Sequence, residues 1–537
     1  MKLNIDHIKQ IDAYIGDGQY QKALNFCDVI HETNKNNLTL NKIIAHIYSL
    51  MENPLKAIEV LKKFEHTCPN DYDIINNLGH YYLQSEKVKE ASLYISKANE
   101  LNTNQPSSYQ NSAELNIILK NFVQAEIDID KCITLNKKIF KDYDSYLRSI
   151  IIKSEILIAQ KKINEAVEFF LELTSTKFNG DICARVAEIK PDSISQELVD
   201  KAKELIKNSS YISRMDRFNK LVSLYFFLAY FYEKLDRKKS EEYYVKANQE
   251  IFDIQRLRMI SFQKIFQKQI DVFKKIKGVS ITNYESGKKN IFVVGLPRSG
   301  TTLLESTLSA NEQVFAGGEM KAFNSLYNRM AIEYDDFSEE NLNKVGQAYL
   351  DIMNPIRGKF DFIVDKMPLN FTHIGFILKC LPSAKIILIL RDPWDVATSL
   401  YKQRFVKNIP YASSFFNIGV YIANFEAIVN FWLSYQEIKN KIYLIRYEEL
   451  VQNFDHHQKK IYEYCKIKSP YDSSIREKHF ARTASMNQVQ KKVNKDSVKK
   501  RNFENFQTEF FDSYNSQKEY WKSKGIIFKN AYFGYLQ

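Results

Sequence analysis

Small and apolar residues recur along the first half of the chain at a fixed interval. Ala23, Ala57, Ala91 and Ala125 are 34 residues apart. Four positions after them come Cys27, Leu61, Ile95 and Ile129, and seven positions after come Ile30, Phe64, Ala98 and Cys132. Twelve positions before them lie Ile11, Ala45, Gly79 and Ala113. Offsets of four and seven keep side chains on one helix face. Small residues at fixed offsets mark where paired helices approach closely, because a larger side chain would push them apart.

A 34-residue period of this kind is the tetratricopeptide signature, and each unit is a helix pair that buries its apolar face only by stacking on a neighbour. The best-spelled unit is Leu78-Gly79-His80-Tyr81-Tyr82 with Ala91 and Ala98. The period then slips: Ala166 follows Ala125 by 41 residues, and Leu228-Ala229-Tyr230 with Ala247 reads as one more degenerate unit. Residues 175–215 are irregular, with a loop near Lys190-Pro191. Asp253 to Lys274 reads as one long amphipathic helix that closes the solenoid, whose end would otherwise expose its core. The polar stretch Gly278 to Asn290 is the expected linker, giving a repeat domain over 1–277 and a second domain over 291–537. The repeat groove suits a protein partner, and a structural or homodimerisation arm is an equal alternative.

Beyond residue 290 the pattern changes. Four short apolar runs have strand character: 291–294, Phe360 to Val364, Lys385 to Leu390 and Ile442 to Ile445. Helical spacing fills 301–310, 339–353, 371–381, 394–405 and 420–439. Alternating strands and helices predict a mainly parallel sheet covered on both faces. Ligands of such sheets sit beyond the carboxyl ends of the strands. The residues there are Leu296-Pro297-Arg298-Ser299-Gly300-Thr301-Thr302, Asp365-Lys366, Arg391-Asp392 with Ser399, and Arg446-Tyr447. Gly295 and Gly300 bracket four residues between a strand and a helix, as in a phosphate-cradling P-loop, but Thr301 stands where the loop lysine belongs. Lys366 is the candidate for the missing charge.

Composition narrows the reading without redirecting it. The 537 residues carry a formal net charge of +12, which favours anionic ligands over a neutral pocket. No nucleic-acid motif accompanies that charge. Six scattered cysteines form no CxxC pair, so neither a zinc site nor a disulfide framework is expected, and a reducing compartment fits. The first residues lack an apolar signal core, and the greasiest run, Leu221 to Tyr232, is too short to span a bilayer. A cytoplasmic protein without a membrane span is the expectation.

The motifs around this sheet edge resemble those of the sulfotransferases. Pro297-Arg298-Ser299-Gly300-Thr301-Thr302 resembles their 5′-phosphosulfate loop, and Arg391 with Ser399 resembles their 3′-phosphate site. Gly317-Gly318-Glu319, Asp365-Lys366-Met367-Pro368, Arg446-Tyr447-Glu448-Glu449 and Arg482-Thr483-Ala484-Ser485-Met486-Asn487-Gln488-Val489 follow in the family's order. The chain looks like the tetratricopeptide sulfotransferases of bacteria, with a C-terminal domain similar to tyrosylprotein sulfotransferase. The resemblance implies an all-α tetratricopeptide solenoid followed by an α/β, P-loop-like sulfotransferase domain. It implies transfer of a sulfuryl group from 3′-phosphoadenosine 5′-phosphosulfate to the hydroxyl of a protein, peptide or glycan, with no metal. Glu319 would be the general base, and Lys366, Arg298 and Ser485 would stand around the reacting group. Pro297, Ser299, Gly300, Thr301 and Thr302 would hold the 5′-phosphate, and Tyr447, Gln488, Lys491, Asn494 and Lys500 the nucleotide. The chain departs from its bacterial relatives at Lys499-Lys500-Arg501-Asn502-Phe503, where a Gly-Arg-Trp-like group is usual. Two alternatives are a P-loop kinase, with Asp365 or Asp392 as its magnesium ligand, and an inactive nucleotide-binding scaffold.

Overall fold

The computed structural model describes residues 3–32, 35–140, 143–211, 214–255, 262–280, 282–330, 336–405, 409–477 and 503–529. The chain forms two compact units, 1–157 with 354–356, and 158–353 with 357–537.

The first unit is built of helix pairs. They are α1 (Ile5–Gly16) with α2 (Tyr20–His31), α3 (Leu38–Leu50) with α4 (Pro54–Lys62), α5 (Tyr72–Gln84) with α6 (Val88–Leu101), and α7 (Pro106–Ile118) with α8 (Phe122–Leu135). The second helix of each pair starts 34 residues after the last. Asn4, Asn37, Asn53 and Asp71 cap their helices by accepting a backbone N–H through the side chain. Ala23, Ala57, Ala91 and Ala125 are all fully buried. A Cβ on Gly79 would lie 2.9 Å from Ile95 Cγ1, which is the close approach of α5 to α6 that the small residue permits. Each tight turn between partners holds one left-handed residue: Gly18, Glu52, Glu86 and Lys120, again 34 apart. The next is Lys161, 41 residues on, in the turn between α9 (Tyr143–Ala159) and α10 (Ile163–Thr176).

The second unit begins in the last turn of α9, well before the expected linker at 278–290. Its helices are α10, α11 (Gly180–Ile189), α12 (Gln196–Lys207), α13 (Arg214–Tyr232), α14 (Arg237–Gln255) and α15 (Phe262–Ile276). Secondary structure changes from all-helical to α/β near residue 290, but compactness does not. The reason is packing. Phe266 meets Phe371 edge-on at 5.8 Å, and Phe273 meets Trp432 edge-on at 5.1 Å. The bare Cα of Gly375 accepts the Phe273 ring, since a Cβ there would lie 2.4 Å from it. The amphipathic face of α15 is therefore covered by the α/β domain and does not close a solenoid. Of the single helix expected over 253–274, residues 253–255 lie in α14 and 262–274 in α15, and 256–261 lie outside the described residues.

The sheet has five parallel strands: β1 (Asn290–Gly295), β2 (Val314–Gly318), β3 (Phe362–Asp365), β4 (Lys385–Leu390) and β5 (Ile442–Arg446), in the order β2-β3-β1-β4-β5. β2 has no counterpart among the four apolar runs expected to form strands. Its partner is β3, with Gly318 opposite Asp365. One face packs on α16 (Thr301–Leu308) and α24 (Phe454–Cys465) through Ile291, Val293, Leu304, Ile387, Ile389 and Ile461. The other face carries Phe292 stacked on Tyr349 of α18 (Glu339–Arg357) at 5.5 Å. Burial on both faces explains why the strands read as unbroken apolar runs. The remaining described helices are α17 (Ala322–Asn328), α19 (Ile374–Cys380), α20 (Pro393–Tyr401), α21 (Phe415–Ser434), α22 (Gln436–Lys439), α23 (Tyr447–Gln452), α25 (Ser473–Glu477) and α26 (Gln507–Ser523). Among the described residues, no helix is long and apolar enough to cross a membrane.

Candidate active site

β1 is flanked by β3 and β4, and its successor β2 lies across β3, so the sheet reverses its winding at β1. The carboxyl end of β1 is thus the switch point where α/β sheets open a crevice. Leu296 to Gly300 leave it as a tight loop. A Cβ on Gly295 would lie 2.6 Å from the Ile389 carbonyl oxygen, and one on Gly300 would lie 2.5 Å from the Tyr447 ring. Gly300 also has φ 106 and heads α16 with no side-chain cap. The positive end of the helix dipole faces that loop and favours an anion there. The Ser299 hydroxyl donates to the Leu296 carbonyl at 2.7 Å. The Ser299 N–H donates to the same carbonyl at 3.2 Å, so both groups of this residue shape the loop.

Three residues separated widely in sequence converge beside the loop. Arg298 takes φ 71 and turns its side chain so that Nε donates to Ser399 Oγ at 3.0 Å. Arg391 Nη1 donates to the Arg298 carbonyl at 3.0 Å, and its guanidinium lies 4.4 Å over the Tyr447 ring. Asp395 is 3.8 Å from Arg391 Nη2. Burial pulls Arg298 below its ordinary range; Glu188 opposes that shift, Arg391 adds to it, and Tyr230 and Tyr447 oppose it. Two guanidinium groups held this close repel one another, and an anion bound between loop and helix would relieve the repulsion.

Across the loop, on the β3 side, Lys366 is fully buried and its Nζ lies 2.7 Å from Glu319 Oε1. The Glu319 side chain is 42% exposed, so one carboxylate edge faces out while the lysine holds the other. The turn carrying Glu319 is fixed from two sides. Glu305 Oε1 accepts the Gly318 N–H at 2.8 Å, and the Gly318 carbonyl accepts the Lys366 N–H at 2.9 Å. Glu305 was not singled out from the sequence. A carboxylate on a helix face that is otherwise apolar (Thr301-Thr302-Leu303-Leu304-Glu305) was the available signal. Asp365 accepts from the Tyr349 hydroxyl at 2.9 Å and from the Met367 N–H at 3.1 Å. Asp392 caps α20 through the N–H groups of Trp394 and Asp395. Both aspartates that a kinase reading would assign to magnesium are tied to the protein's own donors. Among the described residues, no cluster of His, Cys, Asp or Glu has metal-site geometry.

The structure therefore brings together Arg298, Ser299, Gly300, Arg391, Ser399 and Tyr447 on one side, and Glu319 with Lys366 on the other. Pro297 lies in the loop, and Thr301 and Thr302 are buried at the start of α16. Ser485, Gln488, Lys491, Asn494 and Lys500 lie outside the described residues.

Residues 290–472 match the sulfotransferase family. The C-terminal region carries a sulfotransferase-family domain. An uncharacterized protein of Aquifex aeolicus is 28% identical over 443 residues, which cover 72% of this chain and 56% of that protein. Protein-tyrosine sulfotransferase 1 of Danio rerio is 29% identical over 121 residues, covering 20% of this chain and 34% of the relative. The chain thus spans only about a third to just over half of these relatives' own length. The sulfotransferase domain of the Synechococcus PCC 7002 olefin synthase overlaps 44% of this chain and 97% of its own at 14% identity, with a TM-score of 0.30. The matched span contains the loop, the Glu319–Lys366 pair, Arg391 and Ser399.

Proposed function

We propose that the chain transfers a sulfuryl group from 3′-phosphoadenosine 5′-phosphosulfate to an acceptor hydroxyl. The observation that carries this reading is the meeting of Arg298, Arg391 and Ser399 beside a glycine-bracketed loop. A 5′-phosphate suits the loop amides, and a 3′-phosphate suits the pair of guanidiniums with the serine. ATP has only a free 3′-hydroxyl there and would bring no anion to the two guanidiniums.

Sulfuryl transfer, like phosphoryl transfer, passes through a loose in-line transition state that needs positioning and charge stabilisation. Lys366 would neutralise the leaving phosphate oxygen, and Arg298 the sulfuryl oxygens. Glu319 would take the acceptor's proton through the carboxylate edge that faces out, since a base must come within about 2.6–3.2 Å of that hydroxyl. The helix pairs of the first unit are read as tetratricopeptide repeats whose groove would hold an acceptor protein. A peptide tyrosine is the favoured acceptor because a relative bears that activity in its name. The same reading sets the protein in the cytoplasm.

Isothermal titration with 3′,5′-bisphosphoadenosine, ATP and ADP tests the donor. Tight binding of the bisphosphate with weak binding of ATP is expected, and the reverse order would end the proposal.

A further inference from the structure

The end of helix α20, which presents Ser399, is not held by the sulfotransferase domain alone. Residues 401–404 run on from it as a strap across helices α11, α13 and α14. The buried Asn248 of α14 donates through Nδ2 to the Tyr401 carbonyl at 2.8 Å. Tyr230 of α13 donates through its hydroxyl to the Lys402 carbonyl at 3.2 Å, and the same hydroxyl accepts the Arg404 N–H at 3.0 Å. Lys402 Nζ pairs with Glu233 Oε1 at 2.7 Å, Gln403 Nε2 donates to Glu188 Oε1 at 3.2 Å, and Arg404 pairs with Asp181. Backbone and side chains of the strap are thus bonded at successive residues to α11, α13, α14 and the turn between the last two.

Two further observations tie this contact to the donor site. Ser399, two residues before the Tyr401 carbonyl that Asn248 holds, accepts from Arg298 Nε of the loop at 3.0 Å. Phe503, where the described chain resumes after 478–502, packs edge-on against Tyr244 of α14 at 6.1 Å and against Tyr401 at 5.2 Å. The helix pair therefore anchors both the end of α20 and Phe503.

We propose that α13 and α14 belong to the donor site, and that Tyr230 and Asn248 are positioning residues for the 3′-phosphate. They fix the backbone at 401–404, which fixes Ser399 against Arg298. The inference rests on the reading of Arg391 and Ser399 as a 3′-phosphate site. Tyr230 is suited to the task because one hydroxyl both donates and accepts. Its removal leaves a half-buried N–H and carbonyl without their partner.

The test is titration of the full chain with 3′,5′-bisphosphoadenosine and with adenosine 5′-monophosphate, which differ only in the 3′-phosphate. Wild type is expected to prefer the bisphosphate. Tyr230→Phe should weaken the bisphosphate about tenfold, the worth of one good hydrogen bond, and leave the monophosphate within about twofold. Asn248→Ala, in a helix that tolerates alanine, should act in the same direction and carries the test if Tyr230→Phe does not fold. Unchanged bisphosphate affinity in both variants would overturn the inference. So would an equal loss for both ligands, which a merely structural role predicts. A wild type with no preference would instead overturn the 3′-phosphate reading itself, and the inference with it.

Discussion

A lysine ammonium removed from water needs a partner, and Lys366 has Glu319. In the proposed reaction the pairing would couple two roles. A lysine drawn to the leaving oxygen of a bound donor would loosen its hold on the carboxylate and free Glu319 as the donor arrives. Steady-state kinetics should accordingly show compulsory order, donor before acceptor, and a random-order pattern would contradict the coupling. Glu319→Ala should lower kcat by about 10²–10⁴ while bisphosphate affinity stays nearly constant. A fully active variant would move the base elsewhere. Lys366→Ala should lower kcat by roughly 10²–10³. Its readout is kcat against the bisphosphate Kd measured by titration.

At the scale of elements, α26 is joined to α21 by buried polar groups. Trp521 Nε1 donates to Asn424 Oδ1 at 2.6 Å, Tyr514 donates to Glu426 at 2.6 Å, and Lys518 stands 3.3 Å from the same carboxylate. Burial pushes Glu426 up to about 7, against the pull of Lys518 and Tyr514. The folded state therefore holds a proton that the unfolded chain releases near its ordinary carboxylate value. The associated stability is complete below about pH 4.5 and is lost as pH rises to about 7, a change on the order of 3 kcal/mol. Denaturant unfolding at pH 5 and pH 7.5 should record that loss, and Glu426→Gln should flatten it. Turns offer a second case. Glu86 and Lys120 adopt a left-handed backbone that costs side-chain-bearing residues energy. Glu86→Gly should raise stability by about 0.5–1 kcal/mol in thermal or chemical unfolding.

Those turns also explain what the sequence hid. Alanine spacing located four helix pairs because small residues at close approaches are sterically required. Counting from the left-handed turn residue works further: seven positions before Gly18, Glu52, Glu86, Lys120 and Lys161 lie Ile11, Ala45, Gly79, Ala113 and Ser154, all but one small. Ser154 is fully buried, yet a serine in a mixed stretch announces no repeat. Strand β4 was legible to its end residues because a central strand is apolar throughout. Strand β2 was not, because its last residues are Gly317 and Gly318 and it lies at the sheet edge. Loop, lysine and arginine positions could be read from strand ends. The hold of Tyr230 and Asn248 on residues about 150–170 positions away could not, since no local pattern encodes such a contact.

For the whole molecule, the functional boundary is not the boundary between helix and sheet. A chain starting at residue 278 would lack α15, exposing Phe371 and Trp432, and would lack every helical partner of 401–404. It should be insoluble or unfold at markedly lower temperature than a chain starting at residue 158, as thermal scans of the two would record. Equal stability would show that α10 to α15 are dispensable.

The strap at 401–404 has a consequence for how the protein is made. Helix pairs close through contacts near in sequence and form quickly, whereas a parallel sheet that must join residue 293 to residue 387 and then to residue 443 forms slowly. During synthesis α13 and α14 emerge first and can pair before any strand exists. Tyr230 and Asn248 are then already in register when Tyr401 to Arg404 leave the ribosome, so the last-formed part of the site folds onto a template laid down about 150 residues earlier.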